Sequence, residues 1–469
     1  MITATDWWES HFDEFVSDLS RIISIPSVSR LDKSSGEEPF GKPCREVLEA
    51  IGELSRRYGF DFVNDCDYYG LLVWKGELEE TIGLYSHLDV VPAGTGWKYP
   101  PFELTRLSDK LVGRGTGDDK GPAVTVLYAL RYLKETGFKP RHTIIQFFGV
   151  NEECGMEDID FYARRNPAPA FGLVPDAVFP VSYGEKGILE LDIMRPLPDD
   201  SLIVSWASGT ASNAVPGLAE AVVKLDAGKL KKAVTDTRVE VEETGSGAKV
   251  TAHGTAAHAA RPEGGVSAEN LLARALLSSG LFPEGDEALF NAVLSLFSDA
   301  NGAGLGVPYE DEVSGKLTHV GGMSRLEDGV FRQNINIRYT ITADYPVMME
   351  TIKKTLSAAG FTLEAASNSA PMYAGKDLPV IAKLAAIANE ELGTSLEPFV
   401  MGGGTYARHL KNTVSFGCTI PGEEGAFGPG RGGAHQADEY VTFRELESSF
   451  LIYARAIPEL EDFLSSSSL

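Results

Sequence analysis

Two short stretches hold residues that can bind metal ions or move protons. Tyr85-Ser86-His87-Leu88-Asp89 closes an apolar run, and residues two apart on a strand share a face. His87 and Asp89 can therefore reach one site, with Asp89 holding the second ring nitrogen of a metal-bound His87. Asn151-Glu152-Glu153-Cys154 follows the apolar run 144–150, so two adjacent acids fall at the carboxyl end of a buried strand. Open α/β sheets place their sites there. Adjacent carboxylates suggest divided labour, one on a metal and the other activating water as general base. Cys154 has no basic partner nearby in sequence, which leaves thiol catalysis without support.

Taken singly, these two stretches also read as a surface histidine near a strand end and an acidic turn before a helix, and three further stretches read either way as well. In Gly113-Arg114-Gly115-Thr116-Gly117-Asp118-Asp119-Lys120-Gly121-Pro122 the acids stand at the mouth of a helix. There they can cap it and face its positive end, or Asp118 can bridge two metals while the glycines make room. Asp176, in Pro175-Asp176-Ala177, follows a strand-like run, and His435 precedes the terminal helix. Jointly, His87, Asp118, Glu153, Asp176 and His435 form a set of two imidazoles and three carboxylates. Such donors suit Zn²⁺, Mn²⁺ or Co²⁺ and need no cysteine.

These residues need a scaffold, and its pattern is visible. Up to about residue 184, helical spacing (6–23, 44–58, 122–136) alternates with short apolar runs (70–74, 81–85, 142–150). That order predicts an α/β domain, a mostly parallel sheet with helices on both faces. From 185 to 370 the strand-like segments 188–194, 219–225 and 333–342 mix apolar and polar residues around a helical run at 267–279. This reads as an inserted α+β lid with a half-exposed antiparallel sheet. The α/β style returns over 371–469, with a helix at 378–392, a strand at 413–417, a helix at 442–464 and a frayed tail at Ser465–Ser468. The expected domains are thus 1–184 and 371–469 for catalysis, and 185–370 for the lid.

Composition narrows the function. A formal net charge of −25 argues against nucleic acid and against an anionic membrane surface. Four scattered cysteines, with no basic, apolar leader at the start, point to a reducing compartment and a cytoplasmic protein. At 469 residues two domains are expected.

SHLDVVPAG, GRGTGDDKGP, VNEE, PDAVFP, MGGGTYAR and AHQADEY together resemble the peptidase V type of dinuclear metallodipeptidase. That group belongs with the carnosinases, aminoacylases and glutamate carboxypeptidases, and the likeness runs in order from about Asp6 to about Leu460. The resemblance implies hydrolysis of dipeptides with a free amino terminus, using two divalent ions, Zn²⁺ first and Mn²⁺ or Co²⁺ as alternatives. It puts His87 and Asp176 on one ion, Glu153 and His435 on the other, and Asp118 between them. Asp89 would orient His87, and Glu152 would be general base and acid toward water activated between the ions. A non-proline cis bond is implied at Asp118-Asp119. In the lid, His258 of Gly254-Thr255-Ala256-Ala257-His258 would stabilise the oxyanion, and Asn213 and Arg338 would hold the substrate carboxylate. Gly404 and Arg408, in a glycine run that lacks a Walker lysine, would line the same end. His253 and His319 carry no such role. A long lid favours a monomer over a homodimer. Two other functions stay open: an N-acyl-amino-acid deacylase or desuccinylase, and a non-catalytic peptide or metal binder.

Overall fold

The computed structural model describes residues 2–31, 38–423, 425–428 and 430–466. The chain divides into two compact units, one of Met1–Gly184, Ala374–Phe399 and Thr405–Leu469, the other of Glu185–Tyr373 and Val400–Gly404.

In the first unit, seven strands are hydrogen bonded in the order Asp61–Asp65, Tyr69–Trp74, His142–Gly149, Leu78–His87, Phe171–Val174, Thr413–Ser415, Ser182–Glu185. The four from His142–Gly149 to Thr413–Ser415 run parallel. The flanking pairs are antiparallel, where the sequence reading expects a mostly parallel sheet. One cause is local. Asp61–Asp65 and Tyr69–Trp74 are joined by a tight turn with Cys66 and Asp67 both at positive φ, and so short a connection can only return antiparallel. The central strands carry side chains buried in unbroken runs, as at Gly83 to His87 and Ile144 to Phe148, the mark of a sheet covered on both sides.

Helices pack around this sheet. Thr3 opens Ala4–Ile23 by accepting the Asp6 amide at 3.1 Å, and that helix buries Trp7, Trp8, Phe15, Leu19 and Ile22. Lys120–Glu135 is buried along almost its whole length, and Phe443–Ser466 buries Phe450, Tyr453 and Ile457. Ser465 and Ser466 thus belong to the last helix rather than to a frayed tail, while Ser467 and Ser468 lie outside the described residues. Parallel strands bring their carboxyl ends together, so His87, Gly149 and Val174 finish on one edge, with His87 paired directly to Gly149.

The second unit is built on an eight-stranded sheet ordered Val239–Thr244, Gly247–His253, Leu218–Val223, Ile203–Ser208, Thr318–Glu327, Val330–Tyr339, Gly187–Pro196, Thr362–Ser369. Every pairing in it is antiparallel. Leu189, Leu191 and Ile193 alternate inward and join Trp206, Phe290, Phe331 and Ile352 in one apolar core. Helices Ala268–Ser278, Glu284–Leu296 and Tyr345–Ala358 supply its other side. Among the described residues no helix is long and apolar enough to cross a membrane.

That core contains a carboxyl group. Glu269 is 1% exposed and accepts hydrogen bonds from Ser324 Oγ and Trp206 Nε1, and burial pushes its pKa up to about 7. A raised folded-state pKa contributes stability below the unfolded value near 4.5, and that contribution is lost as pH rises through about 7. Glu269→Gln removes the need to ionise inside the core. The variant is expected to unfold several degrees above wild type at pH 8, about 1–3 kcal/mol, with a much smaller difference at pH 4.5. Calorimetric scans at the two pH values check this, and an equal shift at both would contradict it.

Candidate active site

The candidate residues of the first unit gather where the parallel strands end. His87 is the last residue of its strand, Glu152 and Glu153 form a single 3-10 turn just after Gly149, and Asp176 follows Val174 by two residues. Asp118 ends the glycine-rich loop before helix Lys120–Glu135, and the Asp118-Asp119 peptide is cis. Asp119 occupies the N-cap position, yet its side chain does not cap the helix. It accepts the His87 amide at 3.0 Å instead, so the capping reading of this acidic pair gives way to a link between loop and strand.

Asp118 lies between the two histidines. One carboxylate oxygen is 2.9 Å from His87 Nε2, and the other is 3.1 Å from His435 Nε2. Asp176 approaches His87 Nε2 to 3.7 Å, and Glu153 approaches His435 Nε2 to 3.0 Å. Two groups of donors result, each with its atoms within 4.8 Å of one another: His87, Glu152 and Asp176, and then Asp118, Glu153 and His435. Ligands at bond lengths of about 2.0–2.2 Å around one tetrahedral ion lie roughly 3.4 Å apart, which matches these contacts. His87 Nε2 and Asp118 Oδ1 are buried and, despite their closeness, make no hydrogen bond. The donor set fits a pair of divalent cations.

Electrostatics point the same way. Burial raises Glu152 well above the usual carboxylate range, with Asp176, Glu153 and Asp118 adding to it and His87 opposing. Burial and Asp118 push Glu153 up to about 7. Asp176 is raised by burial and by Asp118. Burial opposes the charged forms of the histidines, but Asp118 and the other acids prevail, lifting His87 well above its usual value and His435 to about 11. Asp118 is also disfavoured by burial, yet the two imidazoles hold it well below its normal range. So much carboxylate charge in one buried place calls for cations as counter-charge.

Supporting residues extend beyond the sequence reading. His87 Nδ1 lies 3.1 Å from the backbone oxygen of Asp89 and 3.4 Å from its carboxylate. The two Asp89 carboxylate oxygens each accept an amide at 3.1 Å, from Glu152 and from Glu153. Asp89 therefore grips the 3-10 turn as well as flanking the histidine. Asp158, assigned no role from sequence, accepts the amides of Val150 and Asn151 and the Tyr406 hydroxyl. Gly149 lets that hydroxyl in, since a Cβ there would stand 1.9 Å from it. Tyr406 in turn meets the His87 ring edge-on at 6.4 Å. Arg408 sits in the same one-turn helix, Tyr406–His409, outside both donor groups.

Asn213, His258, Arg338 and Gly404 lie in the second unit. There Ala214 bridges to His258, and the Ala259 amide donates to the Asn213 carbonyl at 2.8 Å, which ties the two loops together. Thr318, the strand partner of Arg338, donates its hydroxyl to the Ala259 carbonyl. His258 Nδ1 accepts the Ala260 amide at 3.2 Å, so the neutral ring carries its proton on Nε2. Arg338 donates through Nε to Asn336 Oδ1 and through Nη1 to the Gly402 carbonyl. His319 is buried and bonded to backbone at both ring nitrogens, while His253 is exposed.

Residues 83–459 match the sequence model of peptidase family M20/M25/M40. The chain belongs to that family. As an M20-type peptidase it is a hydrolase. A Bacillus subtilis (strain 168) relative, YtjP, provisionally named a dipeptidase, is 32% identical over 462 residues, covering 96% of this chain and 97% of its own. A Staphylococcus epidermidis relative, provisionally named in the same way, is 30% identical over 466 residues, 95% and 96% of the two chains. Among solved structures, the Saccharomyces cerevisiae dipeptidase Dug1p and human carnosine dipeptidase 1 each superpose with a TM-score of 0.59, covering 98% of both chains. At 14% identity that likeness is one of fold. It is a mixed α/β fold with several sheets and helices.

Proposed function

We propose that this M20-family peptidase is a metal-dependent dipeptidase that cleaves dipeptides with a free amino terminus. The observation that carries the reading is the Asp118 carboxylate, one oxygen beside each imidazole, with Asp176 and Glu153 at the outer sides and Glu152 next to them. The full-length relatives provisionally named dipeptidases favour the dipeptide over other substrates.

His87 and Asp176 would hold one ion, Glu153 and His435 the other, with Asp118 shared; Zn²⁺ is favoured, and Mn²⁺ or Co²⁺ suit the same donors. Bound there, such ions supply Lewis-acid polarisation of the scissile carbonyl and lower the pKa of water. Glu152 takes the proton of the attacking water and delivers it to the leaving amine. Its place beside His87 and Asp176, in the same donor group, puts its carboxylate within reach of water bound there. His258, with its proton on Nε2, donates to the developing oxyanion. The family resemblance further implies that Arg338 and Asn213 would hold the substrate carboxylate. The protein acts as a cytoplasmic monomer in this reading, and its four unpaired cysteines accord with a reducing compartment.

The test is a panel of unblocked dipeptides, N-acetyl dipeptides, and acetyl- and succinyl-amino acids, each assayed with Zn²⁺, Mn²⁺ and Co²⁺. Turnover is expected on unblocked dipeptides and to be at least about tenfold lower on blocked ones, a difference of about 1.4 kcal/mol in transition-state binding. Turnover confined to acyl-amino acids would replace the reading with a deacylase, and no turnover on anything would leave a binding protein.

A further inference from the structure

We propose that Glu439 is a positioning residue for the two-ion centre, one that locks the Asp118 loop to the His435 loop and so sets the distance between the ions. The inference rests on the two-ion reading above and concerns a residue that is neither a ligand nor a proton carrier in it.

Glu439 is 1% exposed and lies four residues beyond His435. Its Oε1 accepts three amides of the glycine-rich loop, those of Gly115 at 3.0 Å, Gly117 at 3.0 Å and Asp118 at 3.1 Å. Its Oε2 takes Arg114 Nη1 at 2.5 Å, and Arg114 is itself 1% exposed. The backbone carbonyl of Glu439 binds the same loop again, through the Gly113 amide at 2.9 Å and the Thr116 hydroxyl at 3.3 Å. Gly115 permits the convergence, since its φ is 89° and a Cβ would stand 2.9 Å from Lys120 Cδ. The neighbouring Asp438 fixes the other side, accepting the amides of Lys98 and Tyr99 at 2.7 and 3.1 Å.

The loop bearing Asp118 thus hangs from one buried carboxylate, whose own segment presents His435. Asp118 has to lie between two imidazoles at once, so a small displacement of its loop disturbs both ion positions together. Residues that orient ligands in this way are commonly worth 10–100-fold in metal affinity.

A buried carboxylate elsewhere in the unit separates positioning from general support. Glu461 Oε1 accepts the Arg141 and His142 amides, and Oε2 is 2.9 Å from His142 Nδ1. That cluster sits at the start of the strand whose far end, Gly149, pairs with His87.

Full-length wild type, Glu439→Gln and Glu461→Gln are titrated with Mn²⁺, with free ion and spin coupling between bound ions read by electron paramagnetic resonance. Circular dichroism of the metal-free proteins reports the fold. Glu439→Gln is expected to raise the Mn²⁺ Kd about 10–100-fold and to weaken the spin-coupled signal, with Glu461→Gln behaving as wild type. If the single variant does not fold, Glu439→Gln combined with Arg114→Met removes both charges of the buried pair, and the same loss is expected. Wild-type affinity and coupling in the Glu439 variants would overturn the inference alone, as would an equal loss in Glu461→Gln. Fewer than two ions on wild type would overturn the two-ion reading and this inference with it.

Discussion

Glu152→Gln is expected to lower kcat on an unblocked dipeptide by about 10²–10⁴-fold, while KM changes little and two ions remain bound per chain. The substitution preserves volume while removing the carboxylate's charge and its capacity to accept and return a proton. The Glu152 backbone stays where Asp89 holds it, through the 3.1 Å bond from its amide. Loss of an interaction made only in the transition state lowers kcat and kcat/KM equally, which distinguishes this from weakened substrate binding. Turnover near wild type with both ions present would remove Glu152 from the chemistry. Loss of the ions along with activity would move it from base to ligand, an outcome the donor group His87, Glu152 and Asp176 makes worth measuring.

Asp118→Ala is expected to be as damaging by a different route. Because one carboxylate serves both imidazoles, its removal should cut metal content below two ions and reduce kcat/KM on the order of 10³-fold. The variant should also lose metal-dependent stabilisation. Wild type at an ion concentration 100 times its Kd gains about 2.7 kcal/mol, seen as a rise in Tm, and Asp118→Ala should gain far less. Elemental analysis and paired thermal scans with and without Mn²⁺ check both parts. Full metal content in the variant would show that Asp118 does not bridge.

Several features could be read before any fold was available. His87 and Asp89 stand two apart in an apolar strand, and Glu152-Glu153 follow another, so strand periodicity alone puts them at strand ends. The helices at the amino terminus, at Lys120–Glu135 and at Phe443–Ser466 were legible from 3.6-residue spacing. Glu284–Leu296 and Tyr345–Ala358 are helices that the sequence reading of the lid does not contain, although Asp344 caps the second and Pro346 lies in its first turn. Mixed strand patterns on either side hid both. The antiparallel flanks of the first sheet are not legible in the sequence, because strand direction depends on which partner a segment finds, not on its own residues.

Sequence by itself determined which side chains could do chemistry, their order along the chain, and, through short matched motifs, the family to which they point. Tertiary structure decided which of those side chains come together and what each one touches. Asp118 and Asp119 fit a helix cap until His87, from a strand some thirty residues earlier, was seen to take one of them through its amide and to face the other with its ring. Asp158 and Glu439 carried no signal beyond being acidic. Their roles come from amides gathered from distant segments, at Val150 and Asn151 in one case and at Gly115 to Asp118 in the other. The physical reason is that a carboxylate in water is satisfied anywhere. Once buried, it must find donors, and only the fold determines which donors are within reach.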